Sequence, residues 1–341
     1  MNRGVRHTYN AIGFGLSGHV KDSRSRQRIM KTLDNAWSST GEKLRGPNVA
    51  VVMSTYNGEH YIREQLDSVL SQDIPNLSVV VRDDGSKDST LRVLKQYEQR
   101  GDITLICGEN EGYVRSFFDA LSAAGDFDYY CFADQDDIWL PDKLSSAIRK
   151  IGESSASGAV LYCSELFYCD EFCNNPQRSS LNLIGLDGQR MVYEDICSGN
   201  TMVFNRQLKD LATIGGSVDV FAHDWWFGLV ASAFGTIVWD DTPHLLYRRT
   251  GNNASPSGMS PSQLAKYRVQ KIFGNGKLPK IRQQIRRFYA LYGNQLDPKL
   301  REVVRHAAQG NRFQKAFASG RYRQRGSDEV LLRLTLLAGL L

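Results

Sequence analysis

An α/β fold built on a parallel sheet is what this sequence predicts, and three observations predict it. Short apolar runs of strand length recur at Val49–Met53, Leu77–Val81, Ile103–Cys107 and Tyr129–Ala133. Segments with apolar residues at helical spacing separate them, and the connections are short. Strands that alternate with helices across short loops imply right-handed crossovers and neighbouring parallel strands.

Each element has its own justification. Val49-Ala50-Val51-Val52-Met53 is apolar without alternation, as expected of a strand covered on both faces. It breaks at Ser54–Gly58, after which Tyr61, Ile62, Leu66, Val69 and Leu70 fall on one helical side. Leu77–Val81 ends in Asp83-Asp84-Gly85-Ser86, and a helix over Ser89–Gln99 follows with Leu91, Leu94 and Tyr97 as its apolar side. Ile103–Cys107 leads through a turn at Gly108–Gly112 into a helix near Val114–Ala124. Tyr129–Ala133 stops at Asp134-Gln135-Asp136-Asp137. In such sheets ligands bind beyond the carboxyl ends of the strands, and three of these ends carry polar clusters.

The 341 residues suffice for two domains or one large domain with appendages. Net charge is strongly segregated: +6 over residues 1–47, −14 over 48–256 and +13 over 257–341. This divides the chain into a basic extension (1–47, with a short helix possible over Arg26–Trp37), a domain over 48–256 with halves at 48–150 and 151–256, and a basic helical region over 257–341. An acidic middle suits cations, and basic ends suit an anionic surface. No stretch reaches the roughly 18 apolar residues needed to span a bilayer; Leu331–Leu341 is shorter, carries Arg333, and reads as an amphipathic helix. The apolar run at Ile12–Leu16 is too brief for a cleaved leader, and the six cysteines form no CxxC pair. A cytoplasmic chain with reduced thiols is the expectation.

Asp134, Asp136 and Asp137 crowd one strand end, where mutual repulsion is costly without a compensating cation. Hard oxygen ligands without nearby His or Cys favour Mg2+ or Mn2+ over zinc. Taken alone, the cluster fits a solvated acidic turn capping the next helix better. In the second cluster Gly85 supplies a turn and Asp88 or Ser89 a helix cap, while Asp83 lies nearest the strand end.

Together and in this order, Val51-Val52-Met53-Ser54-Thr55-Tyr56-Asn57-Gly58-Glu59, Val81-Arg82-Asp83-Asp84-Gly85-Ser86 and Phe132-Ala133-Asp134-Gln135-Asp136-Asp137-Ile138-Trp139 resemble the family 2 inverting glycosyltransferases, in the form seen in bacterial rhamnosyltransferase-like members. The resemblance runs from about Val49 to Asn253. It implies the GT-A fold, with a mixed, mainly parallel sheet flanked by helices. It also implies a nucleotide-diphosphate sugar donor and a saccharide or lipid-linked glycan acceptor. Thr55 and Tyr56 would line the base pocket, and Glu59 and Asp83 would bond the nucleoside. Asp134 and Asp136 would face the ribose and a Mn2+ or Mg2+ ion. Arg115 would meet the nucleotide, although a solvated helix arginine is the other reading. Trp139, Gly199, Asn200 and Trp225 would face the acceptor. Asp224, in Ala222-His223-Asp224-Trp225-Trp226, would be the general base; the other reading makes it the cap of a buried helix.

The chain departs from the family at Tyr247-Arg248-Arg249-Thr250-Gly251-Asn252-Asn253, where a histidine is usual and Thr250 is a poor metal ligand. Arg248 or Arg249 would instead meet the leaving diphosphate, a task suited to guanidinium geometry. The departure also leaves a catalytically inactive binding module of the same fold as the rival expectation. The arginine-rich tail shows no recognised nucleic-acid module, so peripheral attachment to the anionic inner face of a membrane is expected of it.

Overall fold

A computed structural model describes residues 46–250 and 277–341. The helix expected at Arg26–Trp37, the boundary near residue 256 and the Gly251-Asn252-Asn253 segment lie outside the described residues.

In chain order the first half contains β1 (Asn48–Thr55), α1 (Ile62–Leu70), β2 (Asn76–Asp83), α2 (Thr90–Gln99), β3 (Thr104–Cys107), α3 (Tyr113–Ala123), β4 (Tyr129–Ala133), β5 (Ile138–Trp139) and α4 (Lys143–Glu153). Next come β6 (Ala159–Ser164), β7 (Phe167–Cys169), β8 (Gln177–Arg178), α5 (Gly188–Met191), a 3-10 turn at Gly199–Thr201, β9 (Val203–Asn205), α6 (Arg206–Ala212), α7 (His223–Phe234), β10 (Gly235–Asp240) and β11 (Leu245–Arg248). The basic region supplies α8 (Lys277–Tyr292), α9 (Pro298–Gln309), α10 (Arg312–Ala316) and α11 (Gly326–Leu337).

The main sheet has the order β10-β6-β9-β4-β1-β2-β3. Its strands pair in parallel except β9, which runs antiparallel between β4 and β6. The unbroken apolar runs follow from cover on both faces. Val49, Val51 and Met53 of β1 enter one core with Val79, Val81, Cys131 and Ala133, while Ala50 and Val52 enter the other with Val80, Tyr130 and Phe132. Helices α1, α2 and α4 close the first core, and α3, α6 and α7 close the second. A smaller sheet, β5-β11-β7-β8, lies beyond the end of β4.

The basic region is helical and packs into the second core. Ile281, Ile285, Phe288 and Tyr292 of α8 are buried there, and the rings of Phe288 and Tyr292 lie 5.9 Å and 6.0 Å from that of Trp226. Thus these two aromatics of the arginine-rich tail are core residues. Helix α9 begins with Asp297 accepting from the Lys299 and Leu300 backbone N–H groups and with Pro298 at its first turn, where a missing N–H costs nothing.

Candidate active site

Strand register brings the polar clusters to one edge. Thr55 of β1 stands opposite Asp83 of β2, and Met53 stands opposite Ala133 of β4, so the tips of β2, β1 and β4 open side by side. The loop after β1 is then locked to both neighbours. Thr55 Oγ1 donates to Asp83 Oδ2 over 3.1 Å, and Ser86 donates to Asp83 through its backbone N–H and its hydroxyl. Glu59 accepts from the Ser89 N–H at 2.8 Å and so caps the entry to α2. Asp83 and Glu59, expected to bond a nucleoside, therefore spend their carboxylates on the protein's own loops, and Tyr56 is the exposed member of the group.

Gln135 does for the acidic loop what the aspartates cannot. Its side-chain amide accepts from the Tyr56 N–H at 2.9 Å and donates to the Tyr56 carbonyl at 3.1 Å, clamping the β1 loop to the β4 loop. The approach is close enough that a Cβ on Gly58 would fall 2.4 Å from Gln135 Oε1, so Gly58 admits no side chain while the clamp is closed.

Asp134 and Asp136 are half-buried at this edge, and Asp137 is buried. Burial, together with the fields of Asp136 and Asp224, pushes the Asp134 carboxyl up to about 7. Burial also raises Asp136, against the opposing field of Arg248. Asp136 and Asp224 are thus near enough to act on Asp134, and negative charge is in excess around it. Among the described residues no three His, Cys, Asp or Glu side chains converge as a ready ligand cage. A two-carboxylate donor set with surplus charge fits Mg2+ or Mn2+ that draws its remaining ligands from water and a diphosphate.

Asp224 lies in the first turn of α7, where its Oδ1 accepts from the Trp225 N–H at 2.8 Å and its Oδ2 from the Gly199 N–H at 3.3 Å. A Cβ on Gly199 would sit 3.1 Å from Asp224 Cβ and 3.0 Å from His223 Nε2, which explains a glycine there. The next residue, Asn200, donates to Asp137 Oδ2 at 2.6 Å. The 3-10 turn therefore ties the acidic loop to the carboxylate on α7.

Several expected contacts are corrected. Asn200 is 1% exposed and bridges to Asp137, so it positions the site and does not face an acceptor. Trp139 is fully buried beneath Lys143. Trp225 is buried too, its indole N–H donating to the Met191 carbonyl at 2.6 Å, because α7 is apolar on all sides and enters the core. Arg248 is likewise buried: it pairs with Glu64 at 2.7 Å, donates to the Asp136 carbonyl at 2.9 Å, and also donates to the Glu171 carbonyl. It fixes the acidic loop from behind. Arg115 is exposed on α3 and paired with Asp119 at 2.9 Å, which matches the solvated reading. Arg249 is half-buried over the Tyr168 ring, 4.5 Å from its centroid.

Two residues that no sequence signal singled out complete the frame. Gln284 of α8 is buried and accepts from the Phe221 and Ala222 N–H groups, holding the segment that enters α7. Lys143 is buried over the Trp139 ring, its Nζ 3.9 Å from the centroid and without a hydrogen-bond partner among the described residues. Burial lowers it from 10.5 to about 8, with the fields of Cys131 and Asp137 opposing. Because the folded value lies below the ordinary one, the unfolded chain takes up the proton first as pH falls. Stability is then full above 10.5, declines as pH falls toward 8, and is level below it. Lys143→Met is expected to remove that slope, as read by melting temperature across this window.

A sequence model described as Glycosyl transferase family 2 matches residues 50–211. The chain is 28% identical over 231 residues to a dTDP-rhamnosyl transferase, RfbG, of Shigella flexneri, covering 63% of this chain and 77% of that protein. It spans 36–37% of the next two curated relatives. Among solved structures it resembles S. aureus TarS 1-349 in complex with UDP-GlcNAc (TM-score 0.51, 18% identity, 86% of this chain and 91% of that one). It also resembles the mannosyltransferase PcManGT from Pyrobaculum calidifontis in complex with GDP-Man and Mn2+ (TM-score 0.51, 19% identity, 93% and 83%). At these identities the structural likeness establishes the fold, which is GT-A-like.

Proposed function

We propose, from the match of residues 50–211 to the Glycosyl transferase family 2 model, that the protein moves a sugar from a nucleoside diphosphate to a saccharide or lipid-linked glycan hydroxyl, with inversion, in polysaccharide synthesis. Rhamnose on dTDP is the first donor to try, on the strength of the Shigella relative. The observation that carries the reading is the 3-10 turn that ties the acidic loop to Asp224, through Asn200 on Asp137 and Gly199 on Asp224, with Asp134 in the field of both Asp136 and Asp224.

The chemistry follows from charge. As the bond between anomeric carbon and phosphate breaks, negative charge builds on the departing diphosphate. A divalent ion held by Asp134 and Asp136 supplies offsetting positive charge when bound. With Arg248 committed to Glu64, Arg249 is the guanidinium left to meet the diphosphate. Asp224 takes the proton of the attacking hydroxyl, its own position set by the Trp225 and Gly199 N–H groups. Tyr56, exposed at the rim, offers a flat face to the base.

The test is a panel of dTDP-rhamnose, UDP-GlcNAc and GDP-mannose with Mn2+, read first by thermal shift and then by NMR of the product anomer. Stabilisation by one donor and an inverted product are expected. No response to any donor, or retention of configuration, overturns the proposal.

A further inference from the structure

We infer that α10 and α11 form a surface that docks onto anionic phospholipid, independently of what the catalytic hollow does. The two helices pack side by side, and each exposes an apolar pair at i and i+4 spacing. Phe313 and Phe317 are 54% and 74% exposed; Val330 and Leu334 are 62% and 58% exposed. The opposite side of α11 is the core side, with Leu332, Thr335 and Leu336 buried, so the exposed pair is a second apolar face that the fold leaves uncovered.

Charge selects the occupant. Residues 277–341 hold 14 basic and 4 acidic side chains, a net charge of +10. Around the apolar pairs stand Arg312, Arg321 and Arg325, all exposed and none ion-paired to a carboxylate among the described residues. Of the two acids in the first turn of α11, Asp328 and Glu329, the second is already spent on Arg333 and on the Tyr322 and Arg323 N–H groups. A second copy of this chain would bring the same positive field and be repelled. A nucleic acid would satisfy the arginines but leave two phenylalanines, a valine and a leucine in water. A bilayer surface with acidic headgroups answers both needs: phosphates meet the guanidinium groups, and the boundary of the acyl region receives the apolar side chains. No helix among the described residues is long and apolar enough to cross a membrane.

The full chain is floated with vesicles of phosphatidylcholine alone and of phosphatidylcholine mixed with phosphatidylglycerol, at low and high salt. Binding to the mixed vesicles only, weakened by salt, is expected. Removing the charge of Arg312 or Arg325 is expected to lower the partition by about fivefold each, the effect of one basic side chain near a charged surface. The double variant Phe317→Glu, Leu334→Glu changes exposed positions and should melt as the parent does while losing most of its binding. Absence of binding to mixed vesicles at low salt overturns the inference, and so does undiminished binding by the double variant. A concentration-dependent dimer that the double variant abolishes assigns the face to a second copy and overturns it too.

Discussion

Asp224→Asn is expected to slow sugar transfer by about 10²- to 10⁴-fold, the usual contribution of a positioned general base, while donor binding stays as it was. The substitution is nearly isosteric and retains an oxygen for the Trp225 N–H that Asp224 now caps at 2.8 Å, so α7 should begin where it does in the parent. Single-turnover rates and nucleotide titrations with Mn2+ separate the two effects. Transfer at a near-normal rate removes Asp224 from the base role and leaves it an acceptor for the Trp225 and Gly199 N–H groups.

Asp134→Asn should act in opposite directions on stability and binding. Its half-buried carboxyl stands in the fields of Asp136 and Asp224, a repulsion that the unloaded protein bears whenever Asp134 is ionised. Removing the charge is expected to raise the melting temperature of the metal-free protein above pH 7, where the parent's carboxyl, pushed up to about 7, has lost its proton. The same change should weaken Mn2+-dependent nucleotide binding by more than about 10²-fold, since even outer-shell partners of a metal contribute 10- to 100-fold. Differential scanning without metal and calorimetric titration with it measure the two halves. A variant that binds nucleotide as the parent does, with and without Mn2+, contradicts a metal role for this side chain.

Local pattern made the nucleotide half of the fold legible because β1, β2 and β4 are covered on both faces, and their runs of valine and aromatic residues have no other cause. The acidic loop taken alone reads better as a solvated turn, and only the order of all three motifs singled it out. What could not be read was the direction of side chains. Asp83 and Glu59 stand at the expected places in sequence, and the bonds their carboxylates accept from Ser86 and Ser89 could not be read from it. Trp139 and Trp225 look from their neighbours like sugar-stacking residues. Their burial depends on packing partners far along the chain, such as the Met191 carbonyl that receives the Trp225 indole N–H. Arg248 resembles a free guanidinium until Glu64, 184 residues earlier, is seen beside it. The smaller sheet was missed for a related reason, since strands of two to four residues are too short to show a period.

The clamp by Gln284 has a consequence for how the protein is made. The aspartates of β4's loop leave the ribosome about 90 residues before Asp224, and the turn leading to Asp224 receives its anchoring amide only when a residue 63 positions beyond Phe221 has followed. A nascent chain therefore carries both the acidic loop and Asp224 before it has the residues that hold them, Arg248 behind the loop and Gln284 at the entry to α7.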